Sequence, residues 1–238
     1  MRLDQAIAAR FPDLSRRKAR ELIAAGRVLV NQRPVRIASR EVADDAEITI
    51  AAAEMPALNV LASTDDWIVI DKPAGLPAQP ARDRATLSAE EILRLQYRQI
   101  FLVHRLDTPV SGVMLFARTR AAAAQFSELF ATGAIRKIYL ARLDSPIAET
   151  TIDSPIDGKA ALTIVRPLRD ALVEIEITTG RTHQIRIHLA SIGHPILGDT
   201  RYGGTPAERL MLHAWKLEHA TIGTLEAPPP IHFALHDG

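Results

Sequence analysis

The chain has 238 residues, 47% of them apolar and 24% charged, with 29 Lys or Arg against 28 Asp or Glu. That composition suits one large globular domain, or a main domain with a small appendage. Cysteine is absent, which excludes disulfides, thiolate metal sites and cysteine nucleophiles, including thiolate addition to a pyrimidine ring. There is no apolar run of roughly 18 residues and no basic-then-apolar leader, so a cytoplasmic protein without membrane contact is expected.

The first segment, RLDQAIAARF, sets Leu3, Ile7 and Phe11 on one face and predicts a helix. In LSRRKARELIAAGR, Ser15 is a candidate N-cap and Gly26 a stop. Ala19, Leu22 and Ile23 point inward there, which leaves Arg16, Arg17, Lys18 and Arg20 for the outer face. Residues 10–40 carry nine Lys or Arg against two acids. That pattern suits a phosphate-binding face or a merely solvated one. VLVNQRPV reads as a strand, turn and return, and DDAEITI alternates like a strand. AAAEMPALNV, broken by Pro56, reads as a linker.

After it come the β-type segments DWIVIDKP, VMLFAR, KIYLARL, ALVEIEIT and RLMLHAWKLEHA. Two helices are predicted among them. TRAAAAQFSELFATG is closed by Gly133, and THQIRIHLASIG has Thr182 as its candidate N-cap. Without regular βαβ alternation, the fold class is α+β, with a mixed, largely antiparallel sheet.

No P-loop, dinucleotide-binding glycine motif or serine-hydrolase elbow occurs. His183 and His188 stand about 140° apart around a helix and are poorly placed to share an ion, so no metal is expected. The informative stretch is LVHRLDTPVSGVMLFAR. Asp107 lies between two segments that read as buried, and a buried carboxylate needs a partner. Arg181, following Gly180 at the start of the last helix, is the candidate; a guanidinium there would balance the acid and fix its orientation. A purely structural Asp–Arg pair would leave the same trace. His104 and Arg105 put donors for phosphate or base beside the acid. Arg186 and His188 add to the basic surroundings of Arg181. Tyr139 alternates with Ile138 and Leu140, so its ring is placed either to wall a pocket or to pack in the core.

HRLDTPVSGVMLFAR resembles the catalytic motif of the RluA-type pseudouridine synthases. DWIVIDKPAGLPAQP, IRKIYLARL, GRTHQIRIHLASIGHPILGDTRYG and RLMLHAWKLE are similar to that family's other signatures, in its order. Residues 1–50 resemble the ribosomal-protein S-four-type RNA-binding domain. The resemblance implies an RNA-binding unit at 1–52, a linker at 53–60 and a catalytic unit at 61–238 with a central cleft. It implies Asp107 as the essential acid, Arg181 as its basic partner, Tyr139 stacked on the target uracil, and Arg105 helping to displace the base. His104, His183 and Arg186 would face the substrate, with Arg16, Arg17, Lys18 and Arg20 on the RNA backbone. No cofactor is implied, and a monomer is the default. Ribosomal RNA is the favoured target; a transfer RNA, or a non-catalytic RNA-binding protein retaining the fold, are the alternatives. Thr108, Pro109 and Val110 depart from the family's usual polar residues after the acid, which points to altered contacts with RNA beside the target.

Overall fold

The computed structural model describes residues 1–24, 26–50, 58–80 and 87–233. Near the amino terminus, helices α1 (Leu3–Arg10) and α2 (Arg16–Ala24) join a small antiparallel sheet of β1 (Val28–Val30), β2 (Arg33–Pro34) and β3 (Ile48–Ile50), in the order β2-β1-β3. Leu3, Ile7, Ala19, Leu22, Ile23 and Val28 make its core. Ser15 Oγ accepts the Lys18 N–H at 3.2 Å, and Gly26 ends α2 with φ +70°. Between β1 and β2, Asn31 and Gln32 have φ 49° and 62°. Two left-handed residues in a row match the twist that a two-residue hairpin needs.

A separate core belongs to the second sheet. In chain order its elements are β4 (Asn59–Ser63), β5 (Trp67–Lys72), α3 (Ala89–Gln96), β6 (Phe101–Leu102), β7 (Ser111–Ala117), α4 (Arg120–Ala131), β8 (Arg136–Arg142), β9 (Thr150–Asp153), β10 (Leu162–Arg169), β11 (Leu172–Ile177), α5 (Gln184–Ser191), β12 (Leu212–His219) and β13 (Gly223–Glu226). The ten strands run β4-β5-β7-β12-β8-β11-β10-β9, with β6 beside β7 and β13 beside β12. The sheet is mixed and largely antiparallel: among the described strands only β7 and β12 pair in parallel, through His213↔Ser111 and Ala214↔Gly112. Every residue of β7 is buried, as a central strand covered on both faces requires. Gly112, at φ +118°, lies so close to the Ala214 backbone that a Cβ there would overlap the carbonyl oxygen.

Three local features differ from the sequence reading. Asn59 and Val60, expected in the linker, already belong to β4, while residues 51–57 of that linker lie outside the described residues. Helix α3 was not anticipated, although its capping box is written in the sequence: Ser88 Oγ accepts the Glu91 N–H and the Glu91 carboxylate accepts the Ser88 N–H. The residue capping α5 is His183 rather than Thr182, and it does so in the left-handed conformation without a side-chain cap.

Candidate active site

The loop from His104 to Val110 enters β7 where that strand meets β12. Leu106 and Val110 are buried and anchor it. The Val110 N–H closes a turn on the Asp107 carbonyl at 3.0 Å. Lys72, at the end of β5 and fully buried, donates from Nζ to the carbonyls of Pro73 (3.0 Å), Leu76 (2.7 Å) and Thr108 (3.2 Å). Three acceptors call for all three protons of an ammonium, although burial and the charge of Arg209 pull the group down to about 7. The Gly75 N–H meets the same Thr108 carbonyl at 2.8 Å. Lys72 thus ties the segment after β5 to the loop carrying Asp107. The sequence reading did not single it out.

His104 holds the other end of that loop. Its Nε2 accepts the Leu115 N–H at 2.9 Å, and its ring stacks on Phe130 with centroids 4.2 Å apart. Burial, with the charge of Lys137, pushes it down to about 3. With Nε2 accepting, the ring's proton sits on Nδ1, and His104 lines neither cavity at the site. Its place is structural.

Asp107 faces an inner cavity of about 100 Å³, lined also by Arg105, Tyr139, Arg181, His183 and Arg186. The loop residues Arg105 to Asp107 are shared with an outer cavity of about 470 Å³, which opens past Gln79, Thr108, Pro109 and Arg201. The partner of the acid is not Arg181. Arg186 Nη1 stands 3.8 Å and His183 Nε2 3.5 Å from Asp107 Oδ2, whereas Arg181 Nε donates to the Ala160 carbonyl at 3.0 Å. The reason is local. His183, at φ 55° and ψ 22°, turns the chain just before α5, and it is Arg186, within that helix, that comes up against the acid. A non-glycine residue in that region costs about 1–3 kcal/mol, which the surrounding contacts must outweigh.

Arg186 is held as firmly as the acid it faces. Its Nε and Nη2 donate to the two oxygens of Asp199, each at 2.7 Å, and its guanidinium lies 4.9 Å over the Tyr202 ring. That bidentate bond, together with the charges of Asp199 and Asp107, raises its affinity for its proton despite burial. Tyr202 Oη meets His183 Nδ1 at 2.8 Å. Asp199 and Tyr202 were missed, although both stand in the quoted segment GHPILGDTRYG; nothing in spacing alone shows which arginine they serve. Gln184 is buried and fully bonded: its Oε1 accepts from Thr179 Oγ1 and the Arg181 N–H, and its Nε2 donates to the Leu162 carbonyl and Thr163 Oγ1. His188 bonds Thr163 Oγ1 and the Ser154 carbonyl inside the core and is not part of the basic surroundings of the cleft.

Tyr139, on β8 between Ile175 and Ala214, presents its ring to the inner cavity. Burial and the charge of Asp107 push its hydroxyl upward, so it stays neutral. Arg105 is exposed at the mouth. Among the described residues no cluster of His, Asp or Glu is placed to hold a metal ion, and no helix is long and apolar enough to cross a membrane.

On α2, the basic face is partly engaged. Asp4 is fully buried and accepts from Arg20 Nε (2.8 Å), Arg2 Nε (3.1 Å) and Arg16 Nη2 (3.3 Å). Burial alone would raise its carboxyl; the arginines override that and bring it down to about 2. Arg16 and Arg20 still expose about half of their side chains, and Arg17 nearly all of its own. Arg17 and Lys18 stand near Glu21, at 3.8 and 3.3 Å.

A cleft with one acid among several fixed cations suits a phosphate-bearing substrate, and comparison with known proteins is consistent with that. A family model described as RNA pseudouridylate synthase matches residues 66–191, and an S4 domain model matches residues 1–48. An uncharacterized RNA pseudouridine synthase of Aquifex aeolicus is 31% identical, over 89% of this chain and 81% of its own. Ribosomal large subunit pseudouridine synthase D of Escherichia coli is 34% identical, over 86% of this chain and 73% of its own. Human RNA pseudouridylate synthase domain containing 1 superposes with a TM-score of 0.64 and 26% identity, covering 78% of this chain and 88% of that one.

Proposed function

This chain belongs to the RNA pseudouridylate synthase family, and on that premise we propose that it isomerises selected uridines of ribosomal RNA, with the carboxylate of Asp107 as the acting group. The observation that carries this reading is that Asp107 is the one carboxylate among the described residues lining the inner and outer cavities. Hydrolysis of a glycosidic bond ordinarily uses two carboxylates, one of them to activate water or shed a leaving group. Pseudouridine formation keeps the detached base and excludes water, so one acid suffices. It acts either by attacking C1′ of the ribose or by taking a proton from C2′.

The target nucleotide leaves its stack at a cost of roughly a few kcal/mol and enters the inner cavity, where Tyr139 supports the face of the uracil. Arg186, locked by Asp199, keeps the acid oriented. Arg105 takes the position vacated by the base, His183 faces the target nucleotide beside Asp107, and Arg181 and the outer cavity contact the flanking backbone. Ribosomal RNA is favoured because ribosomal large subunit pseudouridine synthase D is a relative across most of this chain, and because an S4 domain model matches its first residues. There, Arg16, Arg17, Lys18 and Arg20 meet RNA phosphates. Residues 1–52 form the RNA-binding unit, the connection ends before Asn59, and the remainder is catalytic. The protein works as a cytoplasmic monomer without cofactor or metal.

Pseudouridine mapped across total RNA from cells with and without the gene tests this directly. The expected result is loss of one or a few sites in ribosomal RNA. Loss confined to transfer RNA, or no loss at all, would contradict the reading.

A further inference from the structure

Isomerisation moves one proton from C5 to N1 of the uracil, and Asp107 already has the ribose to handle. The C1′–N1 bond breaks with its electron pair on the ring. The turned ring then bonds through C5 to C1′, which leaves C5 tetrahedral with its hydrogen attached. To finish, the C5–H pair must form C5=C6 while the C6=N1 pair moves to N1, which takes up a proton. Protons balance, so a single group that accepts one and returns it completes the reaction.

We propose that His183 is this carrier, its Nε2 taking the C5 proton and returning it to N1. The inference rests on the reading of the site given above. Of the described residues lining the inner cavity, Arg105, Arg181 and Arg186 carry guanidinium groups, which donate and do not accept, and Thr182 offers an alcohol, too weak a base to take a carbon-bound proton. Tyr139 is pushed upward by burial and by Asp107, and Gln184 is fully bonded. That leaves His183, with Nε2 3.5 Å from Asp107 Oδ2, where a transient imidazolium would find its counter-charge.

On the other side of the ring, Nδ1 meets Tyr202 Oη at 2.8 Å. A hydroxyl either donates or accepts, so both tautomers and the imidazolium find a partner in it. Tyr202 is itself fixed beneath Arg186 and Arg201, at 4.9 and 5.6 Å from their guanidinium carbons. The groups facing the imidazole are Asp107 from the loop before β7, Arg186 from α5, and Asp199, Arg201 and Tyr202 from the turn after it. Burial and the two arginines lower its proton affinity while Asp107 and Asp199 raise it; the balance is downward, a free base ready to accept near neutral pH.

The test is single-turnover isomerisation of RNA carrying deuterium at C5 of the target uridine. His183→Gln is expected to slow conversion by about 10²–10⁴-fold and to show a larger C5 isotope effect than the parent, because proton removal becomes the slow step. Conversion at the parent rate overturns the proposal. So does a slowed reaction with the parent's isotope effect, which marks a positioning role. Should His183→Gln not fold, Tyr202→Phe is expected to displace the acidic limb of the pH–rate profile, and an unmoved limb overturns the relay. Undiminished conversion by Asp107→Asn in the same assay takes down the underlying reading and the relay with it. Loss in Asp107→Asn beside a parent-like His183→Gln takes down the relay alone.

Discussion

Two carboxylates, Asp107 and Asp199, compete for one guanidinium, and the outcome sets how each tolerates loss of Arg186. Asp199 is 2% exposed and takes both strong bonds. Arg186→Ala would leave it buried and uncompensated, at a cost of about 3–5 kcal/mol, and Arg186→Lys is expected to restore little because an ammonium lacks the two-pronged geometry. Arg181→Ala removes one bond to a carbonyl, worth about 1 kcal/mol. It should lose activity while melting nearly as the parent does. Thermal unfolding of the three variants checks this; an Arg181→Ala protein less stable than Arg186→Ala would reverse the assignment. The GRTHQIR segment showed that an arginine stands near the acid. It did not show which one, because the choice is made by a left-handed turn at His183 that the spacing of residues does not reveal. Lys72 was hidden for a similar reason: its role is written in backbone carbonyls, which carry no side-chain signature. Lys72→Met should leave the Pro73 and Leu76 carbonyls without this donor and Thr108 with the Gly75 N–H alone, lowering both stability and turnover, with RNA affinity much less affected; a parent-like rate would show that the tether does not position Asp107.

At the level of elements, the parallel contact of β7 with β12 is the seam beneath the active loop. Gly112→Ala forces a Cβ onto the Ala214 carbonyl in a conformation that alanine disfavours. The expected result is a protein that unfolds at much lower urea concentration or fails to accumulate in soluble form; parent-like urea unfolding would show that the seam yields. Helix α2 makes a different prediction. Arg16 and Arg20 are shared with Asp4, so replacing them perturbs folding and binding together. Replacing Arg17 and Lys18 with Ala isolates the role in RNA binding: the slope of log affinity against log salt should flatten by roughly one unit for each phosphate no longer neutralised, and an unchanged slope would remove this face from the interface. Helix α2 and strands β5, β7, β8 and β11 were legible because periodicity and caps are local. Short edge strands such as β9 and β13 were not, since four residues hold too little pattern.

Across the whole molecule, the order of strands was the least legible feature. Strand β12 arrives late in the chain and inserts between β7 and β8, and no local signal encodes a pairing between distant segments. Buried histidines add a global consequence. Burial pushes His213 down to about 4 and His104 to about 3, whereas in the unfolded chain an imidazole protonates near about 6.5. With folded values depressed, the stability they contribute is complete above the unfolded value and is lost as pH falls through the folded ones. Urea unfolding should therefore give a falling free energy from pH 7 toward pH 4, with a shallower slope in His213→Gln; a pH-independent free energy would exclude the effect.

The most direct test of the central claim is conversion of target RNA to pseudouridine under single-turnover conditions by the parent and by Asp107→Asn, with RNA affinity measured alongside. The prediction is no conversion by Asp107→Asn while it binds RNA nearly as tightly as the parent. Conversion at the parent's rate would contradict the assignment of the reaction to that carboxylate.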